Sequence, residues 1–156
     1  MNKKVALTFG LACMALGFSA PAAAQNDVAL SSDVKVERTT VENGESRTTL
    51  TAPQDVVPGD RLLFTTSYAN GGNAAAENFV VTNPLPAAVR LAELDDSFEV
   101  SVDGGETFAA LDRLAVPDAE AGRRPAELSD VTHIRWVLAQ VAPGESGELS
   151  YYGIVR

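Results

Sequence analysis

The sequence predicts an all-β fold of antiparallel strands, arranged as a sandwich or a barrel. Three observations lead there. Short runs rich in β-branched and aromatic residues recur between residues 34 and 155. Glycine- and proline-bearing turn signals separate them at short intervals. No amphipathic run reaches the length of a stable helix, Ala74-Ala75-Ala76-Glu77 being too brief.

The first strand is expected over Val34–Val41, which is β-branched and partly alternating. Glu42-Asn43-Gly44-Glu45 turns the chain, with the hairpin signal Asn-Gly at its centre. Arg47–Thr51 resumes an extended pattern. Val57-Pro58-Gly59-Asp60 is a type II turn: proline presets φ at the second position and glycine supplies a positive φ at the third. It launches Arg61–Tyr68, apolar enough for a central strand, and Ala69–Asn73 ends that strand as a loop. Glu77–Thr82 is the next strand, stopped by Asn83-Pro84-Leu85-Pro86 because proline cannot donate to a ladder. Val89–Leu91 is a short strand. Ser97–Val102 and Thr107–Leu111 flank Asp103-Gly104-Gly105-Glu106 as two hairpin arms, with Phe98, Val100 and Val102 on one face. Residues 112–130 read as a long charged loop. Thr132–Val141 and Glu148–Val155 form a closing hairpin around Ala142-Pro143-Gly144-Glu145-Ser146-Gly147.

The N-terminus carries its own signal. Lys3 and Lys4 precede an apolar run over 5–18, and Ala22 and Ala24 supply an A-x-A cleavage pattern. Residues 1–24 are therefore expected to be a cleaved Sec signal peptide, residues 25–33 an N-terminal extension, and residues 34–156 one domain. The apolar run is too short to span a bilayer, and the rest of the chain holds no transmembrane segment. The expected location is extracytoplasmic, in the periplasm or secreted. Cys13 is the sole cysteine and leaves with the leader, so the mature chain is expected to have no disulfide, thiol catalysis or thiolate zinc site. The formal charge is −9, and cleavage removes two further positive charges. Such acidity repels phosphate backbones, so no nucleic acid partner is expected.

Several residues suggest chemistry and then fail to sustain it. Ser101-Val102-Asp103-Gly104-Gly105-Glu106-Thr107-Phe108 matches the S-x-D-x-G-x-T-[WF] Asp-box of sialidase-like propellers. In those proteins the box is a structural turn away from the active site, and a propeller needs about four blades of four strands. One copy predicts a hairpin whose aspartate bonds backbone and whose Phe108 returns to the core. Asp95 and Asp96 are adjacent and point to opposite faces of an extended chain, so they do not converge as acid and base. With Asp103 they form no calcium loop pattern. His133, the single histidine, lies on a polar strand face beside Arg135, without a nucleophile elbow nearby. No catalytic residue, metal or cofactor is expected. The residues singled out for interaction are Arg123 and Arg124, a positive pair in the 112–130 loop, and Tyr152.

Five stretches taken in order resemble the bacterial "conserved repeat domain". They are Val57-Pro58-Gly59-Asp60 with Leu63-Phe64-Thr65; Tyr68-Ala69-Asn70-Gly71-Gly72; Asn78–Pro86; the Ser101–Phe108 hairpin; and Val131–Trp136 with Ala142–Gly147. The resemblance covers roughly residues 34–155. It implies a single Ig-like antiparallel β-sandwich of the kind found in envelope and surface proteins, and it supplies no catalytic residues. The expected core is Val36, Leu62, Phe64, Phe79, Val81, Phe98, Val100, Ile134, Trp136, Leu138 and Tyr151. The expected role is a non-enzymatic protein-interaction or structural module of the cell envelope, with an envelope or surface protein as partner. A carbohydrate-binding module, using Trp136, Tyr151 and Tyr152 as an exposed aromatic platform, is the alternative.

Overall fold

The computed structural model describes residues 27–156; the expected signal peptide lies outside the described residues. The chain is all-β. The strands are β1 (Val28–Glu42), β2 (Glu45–Thr51), β3 (Arg61–Asn70), β4 (Ala76–Pro84), β5 (Val89–Leu91), β6 (Glu99–Ser101), β7 (Ala115–Asp118), β8 (Gly122–Pro125), β9 (His133–Val141) and β10 (Ser146–Val155). One antiparallel sheet has the order β2-β1-β3-β10-β5, a second has β4-β9-β6, and β7-β8 form a separate ribbon. No helix among the described residues is long and apolar enough to cross a membrane.

The turn chemistry behaves as the sequence predicts. Asn43, at φ 53°, and Gly44 make the two-residue connection between Glu42 and Glu45. Gly59 (φ 95°) and Gly144 (φ 77°) occupy the third position of two Pro-Gly turns, closed by Asp60 N–H to Val57 O and Glu145 N–H to Ala142 O, both 3.0 Å. In each turn the acidic side chain at the fourth position accepts the first residue's N–H: Asp60 from Val57 at 2.9 Å and Glu145 from Ala142 at 2.7 Å. The two turns are therefore built by one device.

The two main sheets share one core. Val81, Val100, Ile134 and Trp136 come from the three-stranded sheet, and Leu91 and Tyr151 from the five-stranded one. Val36, Leu62 and Val89 continue the buried layer along the larger sheet. Burying side chains of this size is worth about 1.5–3 kcal/mol each. An aromatic chain crosses between the sheets. Phe64 stacks on Tyr151 at 4.8 Å, Tyr151 lies 6.1 Å from Trp136, and Trp136 meets the edge of Phe98 at 5.7 Å. Of the expected core, only Leu138 stands outside these clusters, half-buried toward the end of β9.

Three expectations are corrected. Residues 28–33 form the first part of β1, paired from Val28↔Asn70 to Asp33↔Thr65, rather than an extension before it. Residues 112–130 are not an open loop. They hold a 3₁₀ turn at Leu111–Arg113, the β7-β8 ribbon and a second 3₁₀ turn at Leu128–Asp130. Leu111, Leu114 and Leu128 from this stretch pack onto the core, which is what holds it down. The second arm expected at Thr107–Leu111 reduces to a single bridge, Val100↔Ala109.

Two sites bind the sheets together by polar contacts. Asn70 is 1 % exposed, and its side-chain amide donates to Ala74 O and Val141 O, both 2.9 Å, while accepting Gly72 N–H at 3.0 Å. Its backbone also exchanges bonds with the 142–145 turn, Asn70 N–H to Glu145 O and Gly144 N–H to Asn70 O, both 2.8 Å. Thr66, also buried, accepts from Asn83 Nδ2 at 2.8 Å and so joins β3 to β4.

Candidate functional site

The Asp-box octet is a turn held by its own side chains. Ser101, fully buried, donates its hydroxyl to Asp103 Oδ1 at 2.6 Å and accepts Gly105 N–H at 2.9 Å. Asp103 Oδ1 also accepts the N–H groups of Glu106 and Thr107 at 3.1 and 3.0 Å. The Ser101 hydroxyl first, then the Thr107 amide and hydroxyl, hold the Asp103 carboxyl far below the usual carboxylate range. Gly105, at φ 92°, lies against the His133 ring, which an added Cβ would meet at 3.4 Å. Phe108 corrects the expectation that it returns to the core. It sits under the Arg135 guanidinium, 4.2 Å from its centroid, and Arg135 in turn donates to Glu99 at 2.6 Å. Arg135 pairs across β9 with Glu99 and Thr82, on the face turned away from Trp136. The turn's acid, its histidine and its arginine are thus all engaged in structure.

The remaining sequence candidates are placed as follows. Asp95 accepts Ser97 N–H at 2.8 Å, and the Ser97 hydroxyl and amide lower its pKa. His133 Nδ1 lies 3.1 Å from the Thr132 hydroxyl. No group of three or more His, Cys, Asp or Glu among the described residues is arranged to hold a metal ion. Arg124 is not a free positive tip. It makes a bidentate pair with Asp130 at 2.7 and 2.8 Å, which raises the arginine's pKa and lowers the aspartate's. Arg123 is exposed and donates to Ala115 O at 2.6 Å. Tyr152 lies beneath the Arg61 guanidinium at 4.0 Å, on the outer face of the five-stranded sheet. Trp136 and Tyr151 are 2 % and 5 % exposed, in the core as expected, so they do not form the exposed platform that the carbohydrate-binding alternative requires.

The feature that sequence reading missed is the far end of β1. β3 pairs with β1 only from Val28 to Glu37, whereas β2 pairs with it from Val36 to Glu42. The hairpin therefore runs on past β3 as a two-stranded arm, and every residue of β2 is exposed. Cross-strand pairing sorts its faces. Leu50, Thr48 and Ser46 stand opposite Glu37, Thr39 and Val41; Thr51, Thr49, Arg47 and Glu45 stand opposite Val36, Arg38, Thr40 and Glu42. Beyond Glu37, one face is uncharged, with Val41 69 % and Leu50 45 % exposed, and the other carries the charges. Thr39 and Thr48 share a hydroxyl contact of 3.2 Å, and Arg38 pairs with Asp60 in the first Pro-Gly turn, anchoring the base of the arm. On the sheet surface the same face becomes charged, running through the Glu37–Arg61 ion pair to Tyr152. The only hint in the sequence is that Glu45–Thr51 contains a single large apolar residue, Leu50.

The edges differ in protection. β4, an edge of the smaller sheet, is interrupted by Asn78 at φ 49° and ends at Pro84. β2 contains no proline, lysine or positive-φ residue, and of the devices that usually blunt an exposed edge it carries only the charges of Glu45 and Arg47 near its start. Comparison of the chain with protein-family models, with curated proteins and with solved structures finds no match.

Proposed function

We propose that the chain is an extracytoplasmic, non-enzymatic Ig-like module of the cell envelope that binds another protein through the arm formed by residues 38–51. The arm itself is the observation that carries this reading. A two-stranded ribbon with both faces in solvent is marginal on its own, and this one has an exposed edge without proline or lysine and a face beyond Glu37 bearing Val41 and Leu50. Strand addition by a partner would satisfy that edge and cover that face. Supporting the Ig-like assignment are a five- and a three-stranded antiparallel sheet with a common core, together with the resemblance to the conserved repeat domain. The leader pattern of residues 1–24 supports the extracytoplasmic location.

The test pairs fractionation with capture. The full-length chain is expressed in its own cell type and followed through cytoplasmic, periplasmic, membrane and medium fractions. The tagged mature chain and its Thr48→Lys/Leu50→Lys variant are then used to retrieve proteins from the envelope. Both substituted side chains are exposed, so the fold should be kept. A protein retrieved by the wild type and lost by the variant is expected. Retrieval indifferent to the arm, or a chain confined to the cytoplasm, would overturn the reading.

A further inference from the structure

A second surface, away from the arm, has the composition of a ligand site. Between the Asp-box turn and the β7-β8 ribbon lies an open cleft of about 410 Å³. Its apolar lining includes Val102, Leu114, Val116 and Pro117, and Arg113 and Arg123 line it as well. The volume falls in the range of small-molecule sites, which are mostly apolar with a few placed polar groups.

Arg38, Arg61, Arg124 and Arg135 each have a carboxylate partner. Among the described residues neither Arg113 nor Arg123 makes an ion pair, although the chain has 21 acidic residues. Among the described residues Arg47, Arg90 and Arg156 also lack a carboxylate partner, and what sets Arg113 and Arg123 apart is that they line one cleft together. Arg123 donates one N–H to Ala115 O, which fixes its guanidinium beside the cleft and leaves its other donors available. Asp103, the one carboxylate lining the cleft, is already bonded to Ser101, Glu106 and Thr107. The ribbon holds the site in place, since Arg124–Asp130 closes it on the far side.

We propose that this cleft binds a carboxylate carried on an apolar body, with the carboxylate on Arg113 and Arg123 and the body on Leu114, Val116 and Pro117. A guanidinium matches a carboxylate bidentately, and the apolar walls select against strongly hydrated anions. A polyanion would be repelled by the acidity of the chain as a whole. A free organic acid and the C-terminal residue of a polypeptide both present this chemistry.

The test is an amide chemical-shift titration of the mature protein with N-acetyl-leucine, N-acetyl-leucine amide, a hexapeptide ending in leucine, and the same peptide amidated. The acid is expected to shift Ala115, Val116 and Arg123 while its amide does not. Arg113→Gln and Arg123→Gln should each weaken binding by about tenfold, the loss of one charge-assisted contact. Both residues are exposed, and unchanged spectra elsewhere confirm that the fold is kept. A peptide binding more than about tenfold tighter than N-acetyl-leucine assigns the site to polypeptide C-termini, and equal affinity assigns it to free acids. Equal binding of acid and amide, wild-type affinity in both variants, or no shift at about 20 mM would overturn the proposal. The arm takes no part, so its failure and this one are read separately.

Discussion

Replacing Asn70 by alanine tests how the two sheets are tied. The substitution removes three side-chain hydrogen bonds, to Ala74 O, Val141 O and Gly72 N–H. Each is worth about 1 kcal/mol net, and a buried group left without a partner costs about 1–3 kcal/mol more. Val141 is fully buried, so its carbonyl has no ready access to water, while the part-buried Ala74 carbonyl can be rehydrated. The expected loss is about 4–6 kcal/mol, which lowers Tm by about 16–24 °C for a domain of this size. Urea unfolding followed by the fluorescence of Trp136, the only tryptophan, measures it directly. Asn73→Ala, in the same loop at an exposed position, is the control and should change stability little. A loss below about 1 kcal/mol for Asn70→Ala, with an unchanged slope against urea, would refute the reasoning.

Two other predictions concern packing and pH. Gly153 pairs with Leu62 and Leu91, and a Cβ there would overlap Val89 and press on the Phe64 ring at 3.1 Å; Gly153→Ala should cost about 1–3 kcal/mol by the same unfolding assay. Burial pushes the Tyr151 phenol from the ordinary 10.0 up to about 12. Its contribution to stability is therefore whole below pH 10 and is lost as pH rises toward 12. Absorbance at 295 nm should show a late tyrosinate step that Tyr151→Phe removes. At the acid end the sign reverses. Asp60, Asp103 and Asp130 have depressed pKa values, so their stabilisation is present above the ordinary carboxylate range and falls away below about pH 4.

What the sequence disclosed, and what it hid, follows from the range of the forces involved. Turns are local, so Asn43-Gly44, Val57–Asp60 and Ala142–Glu145 could be placed from residue types alone. The core of β9 was readable because Ile134 and Trp136 alternate with polar neighbours. The β7-β8 ribbon was not, because its strands have four residues each and include Pro117 and Pro125, which argue against a ladder. Asn70 looked like a loop residue, since Asn-Gly-Gly is a turn signal and nothing local announces that its amide reaches Val141. Phe108 followed its motif into the turn, but which face it would cover depended on Arg135, far along the chain. Alternation in β2 says only that a strand forms, not that no other element covers it. Arg124 could not be separated from Arg123 until Asp130 was seen to close on one and not the other.

The central place of β10 bears on how the domain assembles. β10 lies between β3 and β5, and Tyr151 closes the aromatic chain from Phe64 to Trp136. Every earlier strand therefore emerges from synthesis before the core can be completed, and Phe64, Trp136 and Leu91 wait without their shared neighbour. Pairings this distant in sequence make for slow folding. A polypeptide whose packing is completed only by its final described strand leaves Phe64, Trp136 and Leu91 without that cover until the strand arrives. Deleting β10 should accordingly leave no half-folded remnant but an unstructured chain.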